Sequence, residues 1–359
     1  MPLGSGSPYN WLGRGEWRRG GGGGGAAAAP AGPGFASWRN LADRLPFLRR
    51  RGQLAAGTRA FFTARGYLEV ETPYAVPVPG EEVHLASFRT RRLRPDGSGE
   101  DLWLHTSPEF AMKKLLAGGA GRIFQLARVW RNGEGGDLHA PEFTMLEWYR
   151  PGGTLADLMD ETEALLRAVL PPVLTCRGIT VDLARFERLT VAEAFARHVG
   201  ADLLATAGDA CALAGQAGTK LREGEGWEDL FFRLLLERVE PAIGRDHPTF
   251  LTHWPAAQAA LARRDPADPR VAERFELFAC GLELANAFVE LTDAAEQRAR
   301  FMADRARRHT LYGGPDWDLD EDFLAALQAG LPDCAGIALG FDRLAMLAAG
   351  ADRIDQVLW

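Results

Sequence analysis

Arg128-Val-Trp-Arg131-Asn132, then a short loop, then His139-Ala-Pro-Glu-Phe143-Thr-Met-Leu-Glu-Trp-Tyr149: how these residues are read decides the fold. Aromatic and branched side chains crowd both ends, and Gly133, Gly135 and Gly136 lie between them. The stretch therefore predicts two strands, Arg122–Arg131 and Glu142–Tyr149, joined by a polar loop. Alternation puts Phe143, Met145, Glu147 and Tyr149 on one face of the second strand. It puts Gln125, Ala127, Val129 and Arg131 on one face of the first. If the register matches, one surface carries a cation at the loop end and carboxylate with aromatics at the other.

The neighbouring segments supply layers around this hairpin. Upstream, Arg49 to Arg65 predicts a helix with Leu54, Phe61 and Phe62 on one side. Gly66 ends it, and Tyr67-Leu-Glu-Val-Glu71 predicts a strand stopped by Thr72-Pro73. Leu102 to His105 predicts another strand. Ser107-Pro108-Glu109 then opens a helix, with Ser107 as N-cap, Pro108 in the first helical position, and Met112, Leu115 and Leu116 inward. Downstream, residues 152–275 read as mainly helical. Leu155, Leu158, Met159, Leu165 and Leu166 form one stripe, Phe231, Leu234, Leu235 and Val239 another, and Thr190-Val-Ala-Glu193 is a capping box. Glu283 to Leu291 returns to strand, and Asp293 caps a further helix. Gly336 to Gly340 is a short strand. Phe341 to Ala349 is a helix with Arg343 in its first turn and Gly350 beyond its end.

The chain has 359 residues, 47% hydrophobic and 25% charged, as an ordinary globular protein does. No apolar run is long enough for a membrane span. The net charge is −7, from 48 acids against 41 bases, which speaks against a large nucleic-acid surface. Cys176, Cys211, Cys280 and Cys334 are scattered, with no paired motif and no histidine at zinc-ligand spacing. They read as thiols of a reducing compartment, and a cytoplasmic location is expected. Gly20 to Gly25 is unbroken glycine, followed by Ala26-Ala-Ala-Ala-Pro30. Residues 1–37 are therefore expected to be a low-complexity, disordered extension, and residues 38–359 one domain, ordered from near Trp38, with a helical insertion around 152–275.

The polar residues of the hairpin and of the C-terminal strands suit activation of a carboxylic acid by ATP. That chemistry needs a bent triphosphate, fixed cations to meet developing charge, and exclusion of water from the mixed anhydride. Arg131 and Arg343 offer guanidinium forks for phosphate oxygens. His139 is placed to touch the outer phosphates, and Phe143 offers a ring for adenine. Glu276 and Glu283, seven residues apart in the sequence, suit Mg²⁺, which takes few protein carboxylates and several waters. Singly these residues are unspecific; order and spacing together carry the signal.

That order resembles the class II aminoacyl-tRNA synthetases, within them the lysyl branch, and most of all the lysyl-tRNA-synthetase-like ligases that modify elongation factor P. The resemblance runs from about Trp38 to Trp359. Its first motif matches Phe61-Phe-Thr-Ala-Arg-Gly-Tyr-Leu-Glu-Val-Glu-Thr-Pro73, and its second Phe124-Gln-Leu-Ala-Arg-Val-Trp-Arg-Asn132 with His139 to Tyr149. Glu283-Leu-Ala-Asn286 to Glu290-Leu-Thr-Asp293 matches the lysine-pocket strand, and Gly336-Ile-Ala-Leu-Gly-Phe-Asp-Arg343 the third motif. It implies an α+β catalytic domain, a mostly antiparallel sheet flanked by helices, acting as a homodimer through the first motif, where Pro73 sits. It implies ATP and Mg²⁺ as cofactors. Arg131 would contact the α-phosphate and the carboxylate, Arg343 the γ-phosphate, and Phe143 the adenine, with Asn132, Glu134, His139, Glu283, Leu284 and Gly340 completing the nucleotide site. Glu276 and Glu283 would bind magnesium. Ser107, Pro108, Glu109, Tyr149, Asn286, Glu290 and Ala338 would form the substrate pocket, with Glu109, Tyr149 and Glu290 receiving two ammonium groups and Asn286 the carboxylate.

The implied reaction is adenylation of (R)-β-lysine and its transfer to a lysine side chain of elongation factor P. Ala338, where lysyl-tRNA synthetases have glycine, marks that substrate over lysine. Only about 15 to 20 plausible ordered residues precede the first motif's helix, far below the size of an anticodon-binding domain, so no tRNA anticodon binding is expected. The chain also stops at Trp359, earlier than the family usually does. Three departures stand out. Gly133 follows Arg131-Asn132 and displaces the usual glutamate to Glu134. Ala140 replaces an asparagine after His139. Ala287 stands where the family has glycine, and the odd spacing of Glu283 and Glu290 calls for a bulge there. A paralogue for another amino acid or acceptor, or a degenerate nucleotide-binding protein, are the alternatives these departures motivate.

Overall fold

The computed structural model describes residues 41–259, 261–314 and 317–358. The expected extension over residues 1–37 and the expected start near Trp38 lie outside them. The elements in chain order begin with α1 (Leu41–Thr63), β1 (Leu68–Glu69), β2 (Ala75–Val76), β3 (Phe88–Leu93), β4 (Gly99–Leu104), α2 (Glu109–Ala117), β5 (Ile123–Trp130) and β6 (Glu142–Pro151). Next come α3 (Leu155–Val169), β7 (Val173–Cys176), β8 (Ile179–Asp182), β9 (Glu187–Thr190), α4 (Val191–His198), α5 (Ala210–Gln216), α6 (Trp227–Leu234) and β10 (Thr249–Pro255). The last are β11 (Val271–Ala279), β12 (Leu282–Val289), α7 (Ala294–Tyr312), α8 (Glu321–Gly330), β13 (Cys334–Gly340) and α9 (Phe341–Ala349).

Eight strands make one sheet in the order β1-β5-β6-β13-β12-β11-β10-β9. The outermost pairs, β1–β5 and β9–β10, are parallel, and every pair between them is antiparallel. This is the expected α+β architecture. The hairpin forms in the required register: Gln125 faces Glu147, Ala127 faces Met145 and Val129 faces Phe143.

Alternation splits the sheet into two chemistries. On the rear face Phe124, Leu146, Trp148, Phe275, Leu277, Ala287, Ile337 and Leu339 are buried together with Phe62 from α1, Leu158 and Leu165 from α3 and Leu344 from α9. Each such side chain contributes about 1.5–3 kcal/mol by leaving water. The buried carboxylate of Glu161 is satisfied within this layer by the Tyr67 hydroxyl at 2.7 Å and the Trp148 indole at 3.1 Å. The front face is left free of that packing and lines a cavity.

Several local expectations are corrected. Helix α2 starts at Glu109, with Pro108 at the N-cap position and making no side-chain cap. Ser107 instead accepts from the Glu109 amide at 3.1 Å. The inward face of α2 is Met112, Lys113 and Leu116, while Leu115 is exposed. The segment 152–275 is less helical than expected: besides α3–α6 it holds the β7–β8 hairpin, β9, β10 and the start of β11, and β9 and β10 close one end of the main sheet. The bulge in β12 lies at Leu284, where the register jumps from Ala285 opposite Leu277 to Glu283 opposite Phe278. Ala287 sits in regular strand with its side chain in the rear core.

Candidate active site

Two rows of residues cross the front of the sheet. Ile123, Tyr149, Gly336, Phe288 and Arg274 pair in turn across β5, β6, β13, β12 and β11. Gln125, Glu147, Ala338, Asn286 and Glu276 form the next row. Above them lies a cavity of about 540 Å³ whose lining includes every site residue expected from the sequence except Pro108. Pro108 acts one step away, where it opens α2. Volume and mixed lining are those of a small-molecule site.

One end is cationic. Arg343 is positioned because Asp342 beside it is buried and locked: its Oδ2 accepts from the Thr144 amide at 2.7 Å and its Oδ1 lies 2.5 Å from Arg51. That bolts the start of α9 to β6 and α1. The Arg343 guanidinium donates to the Glu283 carbonyl at 2.7 Å and meets His139 Nε2 at 2.5 Å. Burial, then the charges of Arg343 and Arg131, push His139 down to about 4, so the ring is neutral and accepts from Arg343. Arg131 lies over the Phe143 ring, 5.2 Å from its centre, and its buried Nε has no hydrogen-bond partner among the described residues. An orphaned guanidinium N–H in a cavity fits an oxyanion ligand.

Gly133, which follows Arg131-Asn132, suits its backbone. Its φ is 85°, a left-handed conformation that glycine takes without penalty. The turn returns Glu134 to the cavity, 3.7 Å from Arg131, so the displaced carboxylate still lines the site. Ala140 is buried against the rear core and also lines the cavity.

The other end is acidic. Glu109, Glu147 and Glu290 converge there with one buried cation, Lys113. Lys113 Nζ lies 2.6 Å from Glu109 and pairs also with Glu290. Burial pulls its pKa down, but the two carboxylates outweigh it and hold the ammonium charged. Glu147 accepts from Tyr149 at 2.5 Å and from Ser107 at 2.8 Å. Burial, reinforced by neighbouring carboxylates, pushes Glu147 and Glu290 up to about 8. Apart from Lys113, Glu290 has no hydrogen-bond partner among the described residues. These acids are held short of counter-charge.

Sequence reasoning left Glu147 and Lys113 out of the site. The signal for Glu147 was present, since alternation already placed it beside Tyr149. Lys113 carried none: a lysine beside an apolar stripe reads as a solvated residue until its two partners are seen. Glu276 and Glu283 both line the cavity, and burial and then the Glu283 charge push Glu276 up to about 8. A divalent cation relieves such repulsion, so the pair fits one. The bulge at Leu284 turns Glu283 to the same side of the sheet as Asn286 and Glu290.

Comparison with known proteins agrees with this geometry. Residues 40–359 match the family model for class II tRNA synthetases (D, K and N). A Klebsiella pneumoniae (strain 342) protein named elongation factor P--(R)-beta-lysine ligase is 46% identical over 329 residues, covering 90% of this chain and 97% of the relative. Proteins of the same name from Hamiltonella defensa and Salmonella paratyphi B are 44% and 45% identical, with the same coverage.

Proposed function

The chain belongs to the class II tRNA synthetase (D, K and N) family and is a ligase, and we propose that it activates (R)-β-lysine with ATP and transfers it to a lysine side chain of elongation factor P. The observation that carries this reading is the charge count at the acidic end. Glu109, Glu147 and Glu290 face one buried ammonium, Lys113, so in their ionised forms they exceed it by two negative charges, which a substrate with two ammonium groups balances and thereby favours. The names of the relatives supply the acceptor and the β-amino acid.

In this reading the substrate carboxylate lies between Asn286 and Arg131. One of its oxygens bonds to the α-phosphorus of ATP, the bond to the bridging oxygen breaks, and pyrophosphate leaves. Arg131 meets the charge that develops, and Arg343, held by His139 and the Glu283 carbonyl, meets the outer phosphates. Adenine stacks on Phe143, with Asn132, Glu134, Leu284 and Gly340 around it. Glu276 and Glu283 would hold Mg²⁺, which neutralises phosphate charge when bound. A neutral acceptor amine then attacks the carbonyl, AMP departs, and the amine loses a proton. A homodimer through the first motif belongs to the same reading; Leu68 on edge strand β1 is 55% exposed there, and Pro73 is exposed beside it.

Purified protein tests this with amino-acid-dependent pyrophosphate exchange, followed by mass analysis of purified elongation factor P. Exchange with (R)-β-lysine preferred over lysine, and a shift of one aminoacyl unit on the acceptor, are expected. Exchange with another amino acid alone, or ATP binding without exchange, overturns the proposal.

A further inference from the structure

Asn286 is an ambiguous ligand for a carboxylate. Its amide has a donating and an accepting end, and only the NH₂ end attracts a negative oxygen. Something must decide which end faces the cavity. Arg274, from the adjoining strand, lies beside it with 13% of its side chain exposed. Its Nε donates to Asn286 Oδ1 at 3.0 Å, one terminal nitrogen donates to Glu276 Oε1 at 2.6 Å, and the other to the Gln258 carbonyl at 2.7 Å. The guanidinium also stacks 4.3 Å from the centre of the Trp254 ring. Gln258 is held in turn by Glu228 at 2.6 Å. A plane fixed by three hydrogen bonds and a ring has no freedom to follow its neighbours; they follow it.

We infer that Arg274 is a positioning residue for the substrate carboxylate: it locks the Asn286 amide with its NH₂ toward that carboxylate, its own plane being fixed by Glu276 and the Gln258 carbonyl. A flipped Asn286 would set its NH₂ against the Arg274 Nε–H and its oxygen against the incoming carboxylate, two repulsions in place of two attractions. Lysine at position 274 cannot replace the fork, because one ammonium lacks the rigid separation of donors that reaches two partners on different strands. The inference rests on the lysine-activating function proposed above.

The test is a double-mutant cycle on amino-acid-dependent pyrophosphate exchange with Arg274→Met, Arg274→Lys, Asn286→Ala and the two doubles. Loss of one charge-assisted contact predicts that Arg274→Met raises the amino-acid KM by roughly tenfold or more. Arg274→Lys should behave as Arg274→Met. In the Asn286→Ala background either substitution should add less than about twofold, because the group it positions is gone. Inhibition by the decarboxylated diamine, which has no carboxylate for Asn286, should be unchanged in all variants. Additive effects in the cycle, recovery by Arg274→Lys, or equal loss of diamine affinity would each overturn the inference. The thermal midpoint, measured in parallel, identifies any variant that fails to fold, and Arg274→Lys, which keeps the charge, serves as the second variant. Wild-type protein without exchange on any lysine isomer would instead defeat the proposed function itself.

Discussion

Gly336 is where one added methyl group should be most damaging. A Cβ built there falls 2.4 Å from Glu290 Oε1, 2.4 Å from Tyr149 Cε1 and 2.6 Å from Tyr149 Cδ1. Ordinary carbon contacts begin at about 3.5 Å, so the ring must retreat by about 1 Å. It cannot do so freely, since its hydroxyl is bound to Glu147 and the ring is 2% exposed. Glu290 is equally held, by Lys113. Overpacking of this kind costs about 1–3 kcal/mol of stability. At roughly 2–4 °C per kcal/mol in a large domain, Gly336→Ala should melt roughly 2–12 °C lower. The functional loss should be larger, because a displacement of about 1 Å in a substrate-positioning group costs on the order of 10²-fold. Pyrophosphate exchange should show that loss in kcat/KM for the amino acid, while the KM for ATP, set at the other end of the cavity, stays within about twofold. A Gly336→Ala enzyme with wild-type amino-acid kinetics would refute the packing argument, and one that lost ATP affinity instead would refute the division of the cavity.

The same geometry makes further outcomes testable. Ala338→Gly removes a methyl from the row between Asn286 and Glu147; competition between β-lysine and lysine should shift toward lysine by about 10- to 200-fold, the value of one methylene-sized contact. His139→Ala removes one anchor of Arg343, and should raise the KM for ATP about fivefold with no change for the amino acid. Burial raises Glu147 and Glu290 to about 8, and diammonium substrate prefers them ionised, so the amino-acid KM should fall as pH rises toward 8. For the free protein the sign reverses: the native state holds more protons than the unfolded chain above the ordinary carboxylate value of about 4.3, so the thermal midpoint should drop between pH 5 and pH 8. Arg233 and Glu225 form an ion pair, 7% and 5% exposed, that does not line the cavity; Arg233→Met should lose about 3 kcal/mol in urea unfolding and leave both KM values alone.

The hairpin was legible because its period of two is a local signal and both strands sit in the middle of the sheet, where one face must be core. The same holds for α9, whose end at Gly350 has a φ of 62°. What was not legible depends on distant partners. β9 is four residues of mixed polarity, and only its parallel pairing with β10, some sixty residues on, makes it a strand. The odd spacing of Glu283 and Glu290 requires one extra residue without specifying which, and a bulge that favours glycine points to Ala287. The structure puts it at Leu284 because Ala285, Ala287 and Val289 must all reach the rear core. Lys113 was invisible for the same reason: its burial is explained by Glu290, 177 positions away.

The position of that bulge explains how one sheet serves two chemistries. Glu147, Ala338, Asn286 and Glu276 stand on four adjacent strands. At about 4.8 Å per strand, the row measures about 14 Å from the ammonium-binding acid to the carboxylate proposed for the metal. The reacting carboxylate must lie between those ends, where Ala338 and Asn286 are. A methyl at 338 therefore acts beside the reacting centre, not at the substrate's tail, and can sense where the amino group is attached. A one-residue slip of β12 would turn Asn286 and Glu290 into the core. Placing the extra residue beyond Asn286 leaves the row in register and still brings Glu283 round to join it. The register between β11 and β12 is thus the element on which substrate choice and phosphate chemistry both depend.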